Sequence, residues 1–375
     1  MKLEKPTLQQ IHSRATVRMI SYGVLVIALL FAYAGARIWN WQGYSQLHTV
    51  MEVVASMLAL TVGILALVRY YAKPSNTYLI IGAGFLGTGI LDWYHTVVTS
   101  QIFASVMSST PESLIPWSWD ASRYFLAIMM LVSIVGWKRE QTLGEEAGRM
   151  SAKVVFAGVG MSTIMMAVFF ALYPLPRAYY PEAFFGRPAE IGAAILFFAA
   201  LIGYIKKRAW KINVFEHWMI YSLIIAVISQ AMFMSASTQL FDAMFASAHL
   251  LKIVSYGAAL IGLLIAIYYL FLELEEGKNT LIQQNKKLFM AKIALEEAII
   301  TAEKSKKNMK RTVNQAKEGK DILERMNAVM TGRELRMIEL KEKISELEDV
   351  VARRGEKKKP LRKPRAKKKI STPKS

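Results

Sequence analysis

Cysteine is absent from all 375 residues. Disulfides, thiolate metal sites, c-type haem attachment and cysteine nucleophiles are therefore excluded, and any metal would have to be held by His, Asp or Glu. Histidine is scarce too: there are five, and none follows His249. HExxH and GxSxG do not occur, which counts against the common intramembrane hydrolases and favours a non-enzyme. Acidic residues are few against the basic ones, 28 to 47, for a formal net charge of +19, yet 54% of the chain is hydrophobic. An apolar bulk must coexist with concentrated basic regions, the composition of a membrane protein with basic cytoplasmic parts.

Apolar runs of about 20 residues, enough to cross a hydrocarbon core of about 30 Å, recur from Met19 to Phe271. Eight spans are predicted, at approximately 18–38, 47–70, 77–98, 118–137, 153–174, 188–206, 214–235 and 246–271. Because a helix closes its own backbone hydrogen bonds and an open sheet edge does not, the expected fold is an all-α polytopic bundle. One set of connecting segments carries Lys2, Lys5, Arg14, Arg18, Arg69, Lys73, Lys138, Arg139, Arg149, Lys153, Lys206, Lys207, Arg208 and Lys211, whereas the alternate set carries Arg37, Arg177 and Arg187. That asymmetry predicts an inner-membrane protein with both termini in the cytoplasm. The small residues of "FAYAGA", Phe31 to Ala36, mimic a cleavage site, but the basic leader and long apolar core favour an uncleaved anchor.

"YLIIGAGFLGTGILD" contains GxGxxG at Gly82, Gly84 and Gly87. A dinucleotide fingerprint needs a strand feeding a helix in a βαβ unit, and here the flanks stay apolar to Val98 with no second strand to follow. The glycines are expected instead to let a neighbouring helix approach closely.

Ionisable residues inside the spans come in pairs one turn apart: His48 with Glu52, Asp92 with His95, Asp120 with Arg123, and His249 with Lys252, followed by Tyr256. The predicted topology puts all four pairs in the outer half of the membrane. An intramembrane charge costs at least about 2.5–3.5 kcal/mol, so these groups should face the interior and pair with one another. Three readings stay open: a buried salt-bridge network that only fixes register, a pocket for a small ligand or proton opening outward, or a metal or b-type haem held by His48, His95 and His249. His217 reads as an interfacial residue beside Trp218, His12 as a solvated leader residue, and Trp39, Trp41, Trp117 and Trp119 as interfacial anchors.

"LHTVMEVVASMLAL", "TYLIIGAGFLGTGILDWYHTV", "WDASRYF" and "AHLLKIVSYGAALIG" resemble, in order and spacing, the membrane-associated sensor domains of the third MASE class, over roughly residues 20–272. By that resemblance His48 and Glu52 match its His-x-x-x-Glu pair, Asp92 and His95 its Leu-Asp-x-x-His motif, Arg123 its arginine, and His249 and Lys252 its His-Leu-Leu-Lys motif. The resemblance implies a sensory input module of the kind found on histidine kinases and cyclic-di-GMP enzymes.

Beyond the last span, apolar residues fall every seven positions: Leu274, Leu281, Leu288, Leu295, Ala302, Met309, Ala316, Leu323, Met330, Met337, Ile344 and Val351. The companion positions three later are weak until Met326, Leu340 and Leu347, so the expected structure is a long helix in a homodimeric coiled coil, loose in the middle and firmer near its end. The final stretch from Arg353 holds twelve basic residues and one glutamate, interrupted by prolines. It reads as a disordered polycation for anionic lipid, at about 1 kcal/mol per basic residue near the surface. Nucleic acid is less favoured, because no aromatic interleaves the charges. The expected organisation is a leader at 1–17, a sensor domain at 18–272, a coil at 273–352 and a tail at 353–375. No GGDEF-like signature, Walker loop or kinase glycine loop follows the bundle, so the expectation is a membrane sensor that relays an unknown stimulus to a separate cytoplasmic signalling protein. A haem- or metal-binding redox protein and a structural tether are the alternatives.

Overall fold

In a computed structural model, the structure describes residues 8–100, 103, 107–180 and 182–354. Residues 1–7 of the leader and the polybasic tail from 355 onward lie outside them. Among the described residues there is no strand, only an isolated bridge between Gln42 and Asp242. The helices are α1 (Leu8–Ile38), α2 (Ser45–Ala72), α3 (Asn76–Val98), α4 (Pro111–Leu143), α5 (Ala152–Leu172), α6 (Glu190–Lys207), α7 (Val214–Ile228) and α8 (Ala243–Arg354). A 3-10 turn, Ala209–Lys211, precedes α7, and a π-helical segment, Ser229–Met234, follows it.

Local chemistry explains the breaks. Pro74 cannot continue α2, since proline lacks the amide hydrogen and biases the residue before it toward extended backbone; Lys73 is indeed extended. Pro111 opens α4, where a missing amide hydrogen costs nothing, and Gly144 ends it at φ 85°. The Asn213 side chain accepts from the Glu216 amide at 3.3 Å and caps α7.

Among the described residues, six helices are long and apolar enough to cross a membrane, and α3 and α6 are not among them. Four glycines, two threonines before Asp92 and the aspartate itself dilute α3, and Glu190, Lys206 and Lys207 occupy the two ends of the 18-residue α6. The span predicted at 118–137 lies inside a longer α4. The span predicted at 214–235 changes from α to π helix near its end. The last predicted span is the beginning of a helix that runs on to Arg354.

The chain divides into two compact units, Met1–Gly277 and Lys278–Ser375. In the first, α3 packs between α2, α4 and α5 and is buried along almost its whole length. Helices α1 and α5 instead turn apolar side chains such as Phe31, Met161 and Ile164 outward, as lipid-facing helices do. The glycines of the GxGxxG stretch serve packing. A Cβ on Gly82 would sit 2.8 Å from Leu67 Cδ2, and one on Gly63 of α2 would sit 2.8 Å from the Leu86 amide nitrogen. Helices α2 and α3 thus approach as closely as small-residue interfaces permit. In the second unit the described residues form helix throughout, and the heptad residues from Leu281 to Val351 are exposed.

Candidate functional site

Helix α3 offers polar groups at both ends, and the structure uses each end differently. Near its start, the Asn76 amide donates to Glu140 Oε1 at 2.6 Å, while Asn76 Nδ2 donates to the carbonyls of Gly136 and Gly148 at 3.0 Å. On this side Lys207 and Glu216 form a buried ion pair, with Lys207 Nζ 3.4 Å from Thr77 Oγ1. Lys207 is one of the cations expected in a cytoplasmic loop. The last turn of α6 instead tucks it inward against the first turn of α7.

Near the end of α3 lies the cluster the spacing anticipates. Glu52 from α2, Asp92 and His95 from α3, Arg123 from α4, and His249, Lys252 and Tyr256 from α8 are all buried, with His48 2% exposed. Lys252 Nζ donates to both Glu52 oxygens, at 2.7 and 2.6 Å, and reaches Asp92 Oδ1 at 3.3 Å. The Tyr256 hydroxyl donates to Asp92 Oδ2 at 3.0 Å and accepts from Arg123 Nη1 at 3.0 Å. Glu52, Lys252, Asp92, Tyr256 and Arg123 therefore form one continuous chain across four helices. Lys252 is ion-paired with Glu52 and Asp92, whereas Arg123 is held by the Tyr256 hydroxyl and over the Phe197 ring at 4.9 Å.

The three histidines gather beside this chain, with the His48 ring edge-on to those of His95 and His249. His48 Nε2 lies 3.2 Å from His95 Nε2, and His249 Nε2 lies 3.2 Å from Glu52 Oε1. His95 Nδ1 is 2.7 Å from Ser118 Oγ, and His249 Nδ1 is 2.8 Å from the Phe245 carbonyl. One donor atom from each of His48, Glu52, His95 and His249 lies within 4.8 Å of the others, the set that could hold a metal. A porphyrin does not fit between His48 and His95: their Nε2 atoms are within hydrogen-bond distance, and the rings meet edge to face at 5.2 Å.

Asp120 departs from its expected partner. Arg123 turns toward Tyr256, whereas Asp120 lies beside Glu190 in a second buried group. There Arg187 forms an ion pair with Glu190, and Glu190 Oε2 accepts from Gln230 Nε2 at 2.6 Å and from Trp119 Nε1 at 3.2 Å. Gln230 comes from the π-helical segment, as does Met234, whose sulfur lies 2.7 Å from Arg187 Nη1. Arg187, expected in an outer loop, is buried, and Glu190 is not among the predicted site residues. Their spacing of three residues at the head of an apolar run is the same signal that marked the other pairs. Trp119, expected at the interface, is 1% exposed and joins the two groups: its ring lies 4.2 Å from that of His249 and 4.4 Å from Lys252 Nζ. His217 does sit beside Trp218, and its Nδ1 also meets the Tyr22 hydroxyl at 2.6 Å.

A cavity of about 620 Å³, lined in part by Arg37, Asn40, Gln42 and Asp242, contains none of the nine predicted site residues. A small pocket of about 10 Å³ reaches His48 between Trp41, Gly43 and Phe241.

Several apolar helices able to cross a membrane, packed around buried ionic groups, are the features of a multi-pass membrane protein. Residues 39–269 match MASE3, the membrane-associated sensor domain family, and the chain belongs to that family. It is a membrane sensor-domain protein; the family is one of sensory input domains, not a catalytic one. No curated protein and no solved structure matches the chain.

Proposed function

We propose that the chain is a signal-sensing module of the inner membrane, with both termini cytoplasmic, in which His48, Glu52, Asp92, His95, Asp120, Arg123, His249, Lys252 and Tyr256 form the stimulus-responsive core. The observation that carries the reading is the chain of contacts from Glu52 through Lys252, Asp92 and Tyr256 to Arg123. Its two central donors, Lys252 and Tyr256, belong to α8, and α8 is the helix that continues into the heptad segment. A stimulus that re-pairs Lys252 changes which helices hold the head of α8. A rotation or shift of that helix alters the packing of a homodimeric coil, which a separate cytoplasmic partner reads. Family membership supports the sensory role, and the bias of Lys and Arg among the connecting segments supports the orientation. The polybasic tail would hold the end of the coil near anionic lipid.

The absence of native cysteine makes the test direct. A spin label at Met309→Cys, in full-length protein in nanodiscs, reports the interchain distance in the coil. Glu52→Gln and Lys252→Met, each confirmed as folded and monodisperse, should shift that distance distribution. Distributions identical to the parent's would overturn the reading.

A further inference from the structure

We infer that His48, Glu52, His95 and His249 bind one divalent transition-metal ion of the zinc class, and that binding transfers Lys252 from Glu52 to Asp92. The inference rests on the sensory reading above and names the chemical class of its ligand.

The hydrogen positions follow from the partners. The Phe245 carbonyl can only accept, so His249 Nδ1 carries the hydrogen of their 2.8 Å bond. The Ser118 hydroxyl donates to the Leu114 carbonyl at 2.5 Å, so it accepts from His95 Nδ1 at 2.7 Å. These two neutral rings therefore keep their lone pairs on Nε2, facing the cluster; His48 Nε2 donates to His95 Nε2 at 3.2 Å, and that hydrogen moves to His48 Nδ1 when the ion is bound. An imidazole whose outer N–H is held by a carbonyl or hydroxyl is the usual state of a metal-bound histidine.

His249 Nε2 then faces Glu52 Oε1 at 3.2 Å, acceptor against acceptor, and this fully buried nitrogen has no hydrogen-bond partner in the protein. A cation between them removes the conflict. Zinc bonds of about 2.0–2.1 Å give ligand–ligand edges of about 3.3–3.4 Å in a tetrahedron. The His48–His95 and His249–Glu52 separations, both 3.2 Å, match two opposite edges. The remaining separations, at most 4.8 Å, close as the ion is taken up. Three imidazoles and one carboxylate, without sulfur, suit zinc, cobalt, nickel or copper(II) rather than calcium, magnesium or copper(I).

Lys252 is the competitor. Its ammonium holds both Glu52 oxygens, and Asp92 Oδ1 waits 3.3 Å away. An ion on Glu52 repels the lysine toward Asp92, where the Tyr256 and Arg123 contacts begin. The ion thereby acts on the same side chain through which the core holds α8. Its route is the small pocket over His48, roofed by Phe241, which holds a left-handed φ of 65°.

The test uses full-length protein in detergent, stripped with chelator, dialysed against zinc(II) and desalted before elemental analysis, with cobalt(II) as the optical probe. The expected result is about one zinc per chain and the intense visible bands of tetrahedral cobalt. His95→Gln and His249→Gln should lose both, and the His12→Gln/His217→Gln double variant should keep both. Lys252→Met, with the competing charge gone, should bind zinc about tenfold more tightly or better. No zinc on the parent protein, undiminished zinc on His249→Gln, or unchanged affinity in Lys252→Met would each overturn the assignment. If the histidine variants do not fold, the direction of the Lys252→Met change decides it. The coil distance is read separately. Failure to bind zinc with Glu52→Gln still shifting the coil removes the metal alone, whereas zinc binding without any shift removes the sensory reading.

Discussion

Lys252 and Glu52 stand 200 positions apart in the chain and meet in a two-pronged contact of 2.7 and 2.6 Å, with both residues buried. Neither charge can be hydrated where it sits, so Glu52 depends on Lys252, while Lys252 also has Asp92 at 3.3 Å.

That dependence predicts a steep and recoverable loss of stability. Lys252→Met leaves Glu52 and Asp92 buried without their shared cation, and about 3–5 kcal/mol should be lost. Glu52→Gln should be milder, because Asp92 still pairs Lys252 at 3.3 Å. In the Glu52→Gln/Lys252→Met double variant much of the loss should return. Thermal unfolding of the four proteins in detergent measures the coupling; purely additive losses would show that the two groups act independently.

The second buried group predicts a parallel result. Arg187→Met leaves Glu190 and Asp120 as neighbouring carboxyl groups with their cation gone, and should destabilise by several kcal/mol. Adding Glu190→Gln should restore most of that, since its amide still accepts from Gln230 and Trp119. A double variant as weak as Arg187→Met alone would refute the pairing.

Much of this core was legible because an ionisable residue inside an apolar run is conspicuous. His48, Glu52, Asp92, His95, Arg123, His249, Lys252 and Tyr256 are all buried, as their spacing within helices suggested. Residues at the junction of loop and helix were harder to place. Arg187 and Lys207 look like ordinary loop cations until a tertiary partner, Glu190 or Glu216, draws them inside. Asp120 and Arg123 are i,i+3, which puts them on one side of α4 but not on one partner; about 60° of rotation sends one to Glu190 and the other to Tyr256. Trp119 has the composition of an interfacial anchor, and only the neighbours of its ring show otherwise. Sequence spacing carries face and depth, but it does not carry the distance between elements.

Close packing makes the glycines of α2 and α3 individually testable. Gly63→Ala sets a methyl group 2.8 Å from the Leu86 backbone nitrogen, so the helices must separate, at a cost of about 1–3 kcal/mol. Gly158→Ala in α5 meets nothing within 4 Å and should be neutral or slightly stabilising, because alanine favours helix. Melting by fluorescence-detected chromatography compares them, and equal melting would show that the close approach has no energetic weight.

The heptad seam gives the last prediction. Leu323 lies on the repeat that runs from Leu281 to Val351 and is 67% exposed, while Asp321 lies two residues away on a different face of the same helix. A parallel dimer brings each seam residue against its own counterpart. In the cysteine-free background, Leu323→Cys should therefore cross-link chain to chain under mild oxidation in membranes, and Asp321→Cys should stay largely monomeric. The weak companion positions Thr312 and Gly319 predict slower cross-linking at Met309→Cys than at Met337→Cys, which has Leu340 beside it. Equal rates along the helix would mean random collision, and no cross-link at Leu323→Cys would overturn the homodimeric seam.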